Sequence, residues 1–481
     1  LVAALAAAAL LAACGDKPPA VTTTDTSAGD ASVTDADTLG IPETADYGGE
    51  AFNILSAGNV AYADFTADET ASTPLDSAQY KRKALVEQNY GVKIAETVEK
   101  AYSSGGGPGY KRLSTDANAG DCNFDLALVA GYDVTVLAYS DYLYDLASIP
   151  GIDLSKSWWD KRANENLAVR GVMFFTTGEI TVSDNDVAFV ILFNKELRKA
   201  YDLDDPYSLV YDGEWTLDTF GALCKTVTED LDQNGIMDAN DRFGVLVWDD
   251  SVVGIVNAAG QRCCTIAEDG TIGLTLYNET TLAALDKYFS IIYDTQYALT
   301  YQREKVDPLE MWQADKGLFW MNTMTRIPQL RGMESDFGIL PYPKLNAEQQ
   351  DYYTTVAPYN SQFVCVPLIQ KDIERTGIIT EALAYYGEKI VTPAYYDVNL
   401  VGQSTRDEES ADMLEIIFDN LVFDIGYYYQ VGPYNKQLIR MVQERDTNFT
   451  SMYDSYKTSA ERLLTVINTY YAKAVSGWEK Q

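Results

Sequence analysis

Ala51-Phe52-Asn53-Ile54-Leu55-Ser56 and Phe124-Asp125-Leu126-Ala127-Leu128-Val129 are the two stretches on which the fold turns. Each is a short apolar run of buried-strand length. The first ends in Ala57-Gly58-Asn59, a turn signal. Between the two, a helical pattern runs from a cap at Asp76 or Ser77 through Tyr80, Ala84 and Leu85. It stops at Asn89-Tyr90-Gly91, where Gly suits a left-handed position just past a helix end. Val92-Lys93-Ile94-Ala95 reads as the next strand. Strand, helix and strand, with strands apolar on both faces, predict parallel βαβ units and an α/β fold.

The same style continues along the chain. Gly171 to Phe175, Val187 to Phe193, Phe243 to Val247, Gly338 to Pro341 and Phe363 to Pro367 read as strands, and Thr280 to Tyr293 as a helix. Met452, Tyr456, Ala460, Leu463, Ile467 and Tyr470 are spaced by 4, 4, 3, 4 and 3, which predicts an amphipathic helix from about Thr450 to Val475. No repeat of solenoid type is present.

Composition narrows the function. The chain has 481 residues, room for roughly two or three domains. Lys plus Arg minus Asp plus Glu is 36 − 71 = −35, which argues against a nucleic-acid partner, since that needs a basic surface. There is no histidine, so Ser-His-Asp, Cys-His and HExxH chemistries are impossible. Tyr is abundant, at 34 residues.

The opening Leu1 to Ala13 is apolar but shorter than the roughly 20 residues that span a bilayer. It fits the apolar region of a secretory signal, and the missing Met and basic segment read as a truncated start. Leu11-Ala12-Ala13-Cys14 resembles the lipobox of bacterial lipoproteins, in which the Cys is diacylated. The resemblance implies residues 1–14 as a leader remnant, lipidation of Cys14 and a location at the bacterial cell surface. Residues 15–47, rich in Thr, Asp, Ala and Ser, read as a flexible tether with a reach of roughly 30 Å. The other five cysteines, Cys122, Cys224, Cys263, Cys264 and Cys365, read as small buried apolar residues. A disulfide among them stays open.

Five further segments carry a resemblance. They are Glu87-Gln88-Asn89-Tyr90-Gly91-Val92-Lys93-Ile94, Asn123-Phe124-Asp125-Leu126, Val190-Ile191-Leu192-Phe193-Asn194-Lys195-Glu196-Leu197, Gly213-Glu214-Trp215-Thr216-Leu217-Asp218-Thr219-Phe220 and Asp336-Phe337-Gly338-Ile339-Leu340-Pro341-Tyr342-Pro343-Lys344. In this order they resemble the extracellular solute-binding proteins of ABC importers, in the carbohydrate-type group that includes the maltose-binding protein. The resemblance implies a two-lobed periplasmic-binding-protein-like fold of type II, with discontinuous lobes joined by hinge strands. Lobe 1 is then 48–186 with 345–395, and lobe 2 is 187–344 with 396–481. Crossings are expected near Asp184 to Val187, near Pro341 to Leu345 and near residue 395. It also implies a monomer without catalytic activity that closes on a small solute, a carbohydrate, and docks on a permease.

Sugars present hydroxyls and apolar C–H faces, so a cleft lined by aromatic, acidic and amide side chains is the chemistry to seek. The strand ends that face the cleft in that family offer Asn59, Tyr62, Tyr132, Asp133, Asp184, Asp186, Trp248, Asp250, Asn322 and Arg326. Trp158-Trp159 reads equally as docking, lobe packing or ligand stacking, and Trp215 as core. Tyr427-Tyr428-Tyr429 reads as core or cleft rim.

The acidic stretch Asp230 to Asp241 is the sharpest local motif. Counting Asp230 as 1, oxygen side chains fall at 1, 3, 5, 9 and 12, namely Asp230, Asp232, Asn234, Asp238 and Asp241. Gly235 falls at 6 and the Ile236 carbonyl at 7, the spacing of a calcium loop. The expectation is a structural Ca2+. Position 12 is Asp rather than Glu, with shorter reach. Two other functions stay open. Acid pairs such as Glu179 with Asp184 allow a surface glycosidase, and an adhesion module would show a flat surface without a cleft.

Overall fold

The βαβ reading of residues 51 to 129 is realised in a single sheet. The computed structural model describes residues 38–60, 62–330, 332–396 and 408–478. The leader, Cys14 and the tether up to residue 37 lie outside the described residues. Strands β1 (Glu50–Gly58), β2 (Val92–Lys100) and β3 (Leu126–Ala130) run parallel, with Ile54 opposite both Glu96 and Leu126. Helix α1 (Pro74–Tyr90) joins β1 to β2 and ends on Gly91 at φ +61°. Its cap is Thr73, ahead of the expected Asp76 or Ser77: the Thr73 hydroxyl accepts the Asp76 N–H at 3.0 Å. Pro74 follows at the first helical position, where its fixed φ costs nothing. Helix α2 (Pro108–Ala119) returns the chain to β3, and α3 (Gly131–Ala138) leaves it.

The second sheet is built from β4 (Phe189–Asn194), β5 (Phe243–Val247), β8 (Ala298–Thr300), β9 (Gly317–Thr323) and β10 (Phe337–Leu340), in the order β10-β4-β9-β5-β8. A small hairpin, β6 (Cys264–Ile266) with β7 (Ile272–Leu274), projects beside it. All residues of β4, β5, β9 and β10 are buried. Helices cover both faces, which is why these strands read as continuous apolar runs. Trp215 lies in this core, its indole N–H donating to the Pro341 carbonyl at 2.9 Å.

Two late strands knit the sheets together. β12 (Gln362–Cys365) returns to the first sheet, antiparallel to β3, so the first lobe is discontinuous. β11 (Thr354–Thr355) pairs with β13 (Leu421–Val422) between the lobes. Ala188 bridges Val356, and the Val356 N–H donates to the Val422 carbonyl at 3.1 Å. Three chain crossings therefore lie side by side at 187–188, 354–357 and 420–422. Residues 341–345, where a crossing is expected, still belong to the second lobe: the Lys344 N–H donates to the Trp215 carbonyl at 3.1 Å. The expected crossing near 395 adjoins residues 397–407, outside the described residues.

Two other expectations change, and one left between core and cleft rim resolves. Val172 to Phe175 is buried but makes one isolated bridge, Val172 with Val169, and no strand; an apolar run marks burial, and pairing needs a free neighbour. The tether ends before residue 47. The N–H groups of Ala45, Tyr47 and Gly49 donate to the carbonyls of Asn89, Tyr90 and Gly91, while Ile41 is buried. Tyr427, Tyr428 and Tyr429 are all core residues, with Tyr428 donating to the Val356 carbonyl.

Gly244 in β5 gives a direct test of this packing. A Cβ there would stand 1.9 Å from the Cys224 carbonyl oxygen. Gly244→Ala is expected to cost about 2 kcal/mol or more, read as a lower urea midpoint; an unchanged midpoint contradicts the contact.

Candidate functional site

In open α/β sheets the carboxyl ends of the parallel strands face the ligand crevice. Here those ends meet along one seam. β5 delivers Trp248, Asp249 and Asp250; β9 delivers Asn322; β3 runs into Tyr132; β1 leads to Asn59. On the second lobe, Trp248 packs on Phe189 with ring centroids 4.9 Å apart, and Phe189 lies 5.9 Å from Tyr342. The Asn322 amide donates to the Tyr301 hydroxyl at 2.9 Å. Gln443 donates to the Asp249 carboxylate, and the Asp249 N–H donates to Gln302 at 3.2 Å.

The first lobe supplies aromatic rings. Tyr132 is 6.4 Å from Tyr359, which is 5.9 Å from Tyr102. Tyr102 is 71% exposed and Tyr359 37%, so the row runs from solvent into the seam. Asn59 holds this rim, its amide donating to the Tyr359 carbonyl at 2.7 Å and its oxygen accepting the Ser103 N–H at 3.0 Å. The lobes touch across the seam. Asn435 donates to the Tyr132 hydroxyl at 2.6 Å, and Lys436 to the Ser104 hydroxyl at 3.2 Å.

Electrostatics single out Asp250. Burial, then the adjacent Asp249 charge, pushes its carboxyl up to about 8. Its own charge in turn helps raise Tyr132, Tyr342 and Tyr359, after burial as the main cause. Arg326 adjoins the same face: its charge lowers Tyr301, against the larger effect of burial.

Four expected contacts go elsewhere. Asp133 is fully buried and accepts the N–H groups of Gly105 (3.0 Å) and Gly107 (2.9 Å), bracing a glycine loop. Tyr62, Asp184 and Asp186 cluster at the first crossing. Asp186 accepts from the Tyr395 hydroxyl at 2.8 Å and Asp184 from the Thr177 hydroxyl at 3.0 Å. Burial above all raises these acids and their neighbours, with Asp160 and Asp186 at about 6 and Glu179 at about 7. Trp158 and Trp159 are buried beside them, Trp159 donating to Glu381.

The acidic loop forms a closed turn on the second lobe. Carboxylate oxygens of Asp230, Asp232 and Asp241 lie within 4.8 Å of one another. Gly235 takes φ +81° and donates to Asp230 at 2.8 Å. Fully buried Asp241 accepts the N–H groups of Leu231 and Asp238, both at 2.9 Å. Asn234 accepts from Ile236 at 2.7 Å, and Asp238 from Asn240 at 2.8 Å. Hard oxygen donors at this spacing fit a calcium ion. A cavity of about 520 Å3 opens beside the loop, between Met237, Asn240, Thr300 and Arg303. Phe243 is the aromatic ring in its lining.

No protein-family model matches the chain, and no curated protein matches it in sequence. Solved structures do match it in fold. A cyclo/maltodextrin-binding protein complexed with maltotetraose is 12% identical, with a TM-score of 0.58 over 86% of this chain and 97% of that one. An ABC substrate-binding protein from Listeria monocytogenes in complex with cycloalternan is 12% identical, with a TM-score of 0.55 over 87% and 99%. An ABC transporter solute-binding protein from Thermotoga lettingae bound with α-D-tagatose is 14% identical, with a TM-score of 0.51 over 87% and 99%. The fold is thus the two-lobed, type II periplasmic-binding-protein-like fold.

The acids at the crossing set a pH dependence. Each holds its proton more tightly folded than unfolded, so its stabilising contribution is complete below the unfolded carboxyl range and is lost as pH rises through the folded value. With folded values of about 6 to 7 for Asp160, Asp186 and Glu179, Tm is expected to fall between pH 5 and pH 8. Glu179→Gln should raise Tm at pH 8 and leave it unchanged at pH 4. A gain equal at both pH values contradicts the burial of that carboxyl.

Proposed function

We propose that this protein captures a sugar in the interlobe seam and delivers it to an ABC transporter permease, without catalysing a reaction. The observation that carries the reading is the approach of Asp250 on one lobe to Tyr132 and Tyr359 on the other, with Trp248 packed on Phe189 at the strand end that precedes it. Rings cover sugar C–H faces while carboxylates and amides take the hydroxyls. The similar structures with maltotetraose, cycloalternan and tagatose support the same class of solute. A ligand touching both lobes shifts their equilibrium toward the closed form by its differential affinity, and the closed form is the one that docks.

A glycosidase needs two carboxyls facing each other across the bond it cleaves. Asp249 and Asp250 are neighbours on one loop of one lobe, and Glu179 and Asp184 lie at the crossing, so binding is favoured. The lipobox at Cys14 and the tether after it support a lipid-anchored monomer on the outer side of a bacterial membrane. Among the described residues, no helix is long and apolar enough to cross a membrane.

A structural Ca2+ in the 230–241 loop belongs to this reading. Asp230, Asp232, Asn234, Asp238, Asp241 and the Ile236 carbonyl would hold it and pin the loop. With an affinity of order 10⁻⁴ to 10⁻³ M, about 10 mM Ca2+ is expected to stabilise the fold by roughly 1.4 to 2.7 kcal/mol. Asp230→Ala should abolish the rise in Tm; no rise for the unaltered chain removes the ion.

The sugar reading is checked by a thermal-shift screen over a glycan library. A hit raises Tm by mass action on the native state. Trp248→Ala is expected to erase that shift, and a shift of the same size in the variant takes Trp248 out of the site.

A further inference from the structure

We propose that the solute is an uncharged oligosaccharide whose chain leaves the seam over Tyr359 and Tyr102 and ends in a second, polar pocket of the first lobe, against helix α2. This rests on the sugar-binding reading and extends it.

The first observation is a continuous path. Tyr132 marks its inner end, tied across the seam by the Asn435 amide at 2.6 Å. Ring centroids then step outward by 6.4 Å to Tyr359 and by 5.9 Å to Tyr102. Each step is about the length of one pyranose unit. The three rings are 7%, 37% and 71% exposed in that order, so the row opens progressively toward solvent. A monosaccharide beside Tyr132 leaves the two outer rings uncovered. The rim is also held in place. Asn59 joins the Tyr359 carbonyl to the Ser103 backbone, and Asp133 accepts the N–H groups of Gly105 and Gly107. A preset row loses little freedom when a ligand covers it.

The second observation is where the row ends. Tyr102 also lines a cavity of about 360 Å3, within the size range of small-ligand sites. Glu99 lines it too, at the carboxyl end of β2, the end of a parallel strand that faces ligand in open α/β sheets. Lys111, Arg112 and Thr115 enter it from one face of α2. Tyr102 is thus shared between the seam and this pocket.

The third observation is the lining. Asp116 is 8% exposed, borders the same cavity, and has no hydrogen-bond partner at Oδ2. A buried acceptor left unmet is costly, and a sugar hydroxyl is a donor that can meet it. Arg112 and Glu99 pair at 3.5 Å on side chains 47% and 33% exposed. Such a surface pair is worth little, so both groups can turn to a ligand. Glu99 and Asp116 are matched in number by Lys111 and Arg112, which leaves no excess charge to attract an ion. Donors and acceptors side by side suit the hydroxyls of a neutral sugar, each of which is both. Units held in the seam keep the next ones at high effective concentration, so weak contacts in the pocket add to affinity.

The test is calorimetric titration of the full chain at pH 7 with linear malto-, cello-, manno- and galacto-oligosaccharides, one to six units long. In the series that binds, affinity is expected to rise at least tenfold from two units to five. Tyr102→Ala, at the joint between row and pocket, should cut that gain to less than threefold. So should Thr115→Trp, which fills the pocket from an exposed helix position and leaves the row intact. If the rise stays below tenfold, or a folded variant keeps a gain of threefold or more, the extended path fails and the sugar reading stands. If no sugar in any series binds, both fall. Should one variant not fold, the other decides; should neither fold, the length series on the unaltered chain decides alone.

Discussion

The architecture depends on three backbone segments lying side by side between two sheets that share no strand. Residues 187–188, 354–357 and 420–422 pair through ladder-type hydrogen bonds; the first leads into β4 of the second lobe and the second into β12 of the first. The paired segments are buried as well, with Val187, Ala188, Val356 and Val422 at most 1% exposed, so backbone pairing and packing together fix their spacing. Everything at the seam follows from it. The strand ends of both sheets are turned toward each other because the crossings enter β4 and β12 from the same side.

Burial of acids at the crossing is the other consequence. Asp64 and Asp184 are nearly inaccessible to solvent, Asp186 is partly buried, and Arg82 is the buried cation beside Asp64. The Arg82 guanidinium is occupied with the carbonyls of Ile180 (2.7 Å) and Asp64 (2.8 Å). Unpaired buried carboxyls are retained as neutral acids or held by hydroxyl donors such as Tyr395 and Thr177. Their protonation therefore makes up part of the stability of the hinge itself, and this stability is greatest in mildly acid surroundings.

The fold was legible because its strands are buried on both faces and so read as continuous apolar runs. Phe243 to Val247 is the clearest case. The same signal misread Gly171 to Phe175, since apolarity reports burial and not a pairing partner. The true α1 start lay in Thr73-Pro74, a cap signal overshadowed by the two acceptors that follow it. At the site, strand ends located the right loops but not the direction of each side chain. Tyr132 and Trp248 turn to the seam, whereas Asp133, one residue on, braces Gly105 and Gly107. Tyr102, Tyr359 and Asn435 escaped sequence reasoning. Tyr102 borders Ser103-Ser104-Gly105-Gly106-Gly107, and an aromatic beside such a loop was the available signal. Asn435 lies inside a helix, where nothing local distinguishes it.

The most direct test of the account is small-angle X-ray scattering of the protein alone and saturated with a sugar hit. A hinge that closes on a bridging solute predicts a smaller radius of gyration and a lower maximum dimension with ligand. Bound sugar with both dimensions unchanged would contradict the two-lobed capture mechanism.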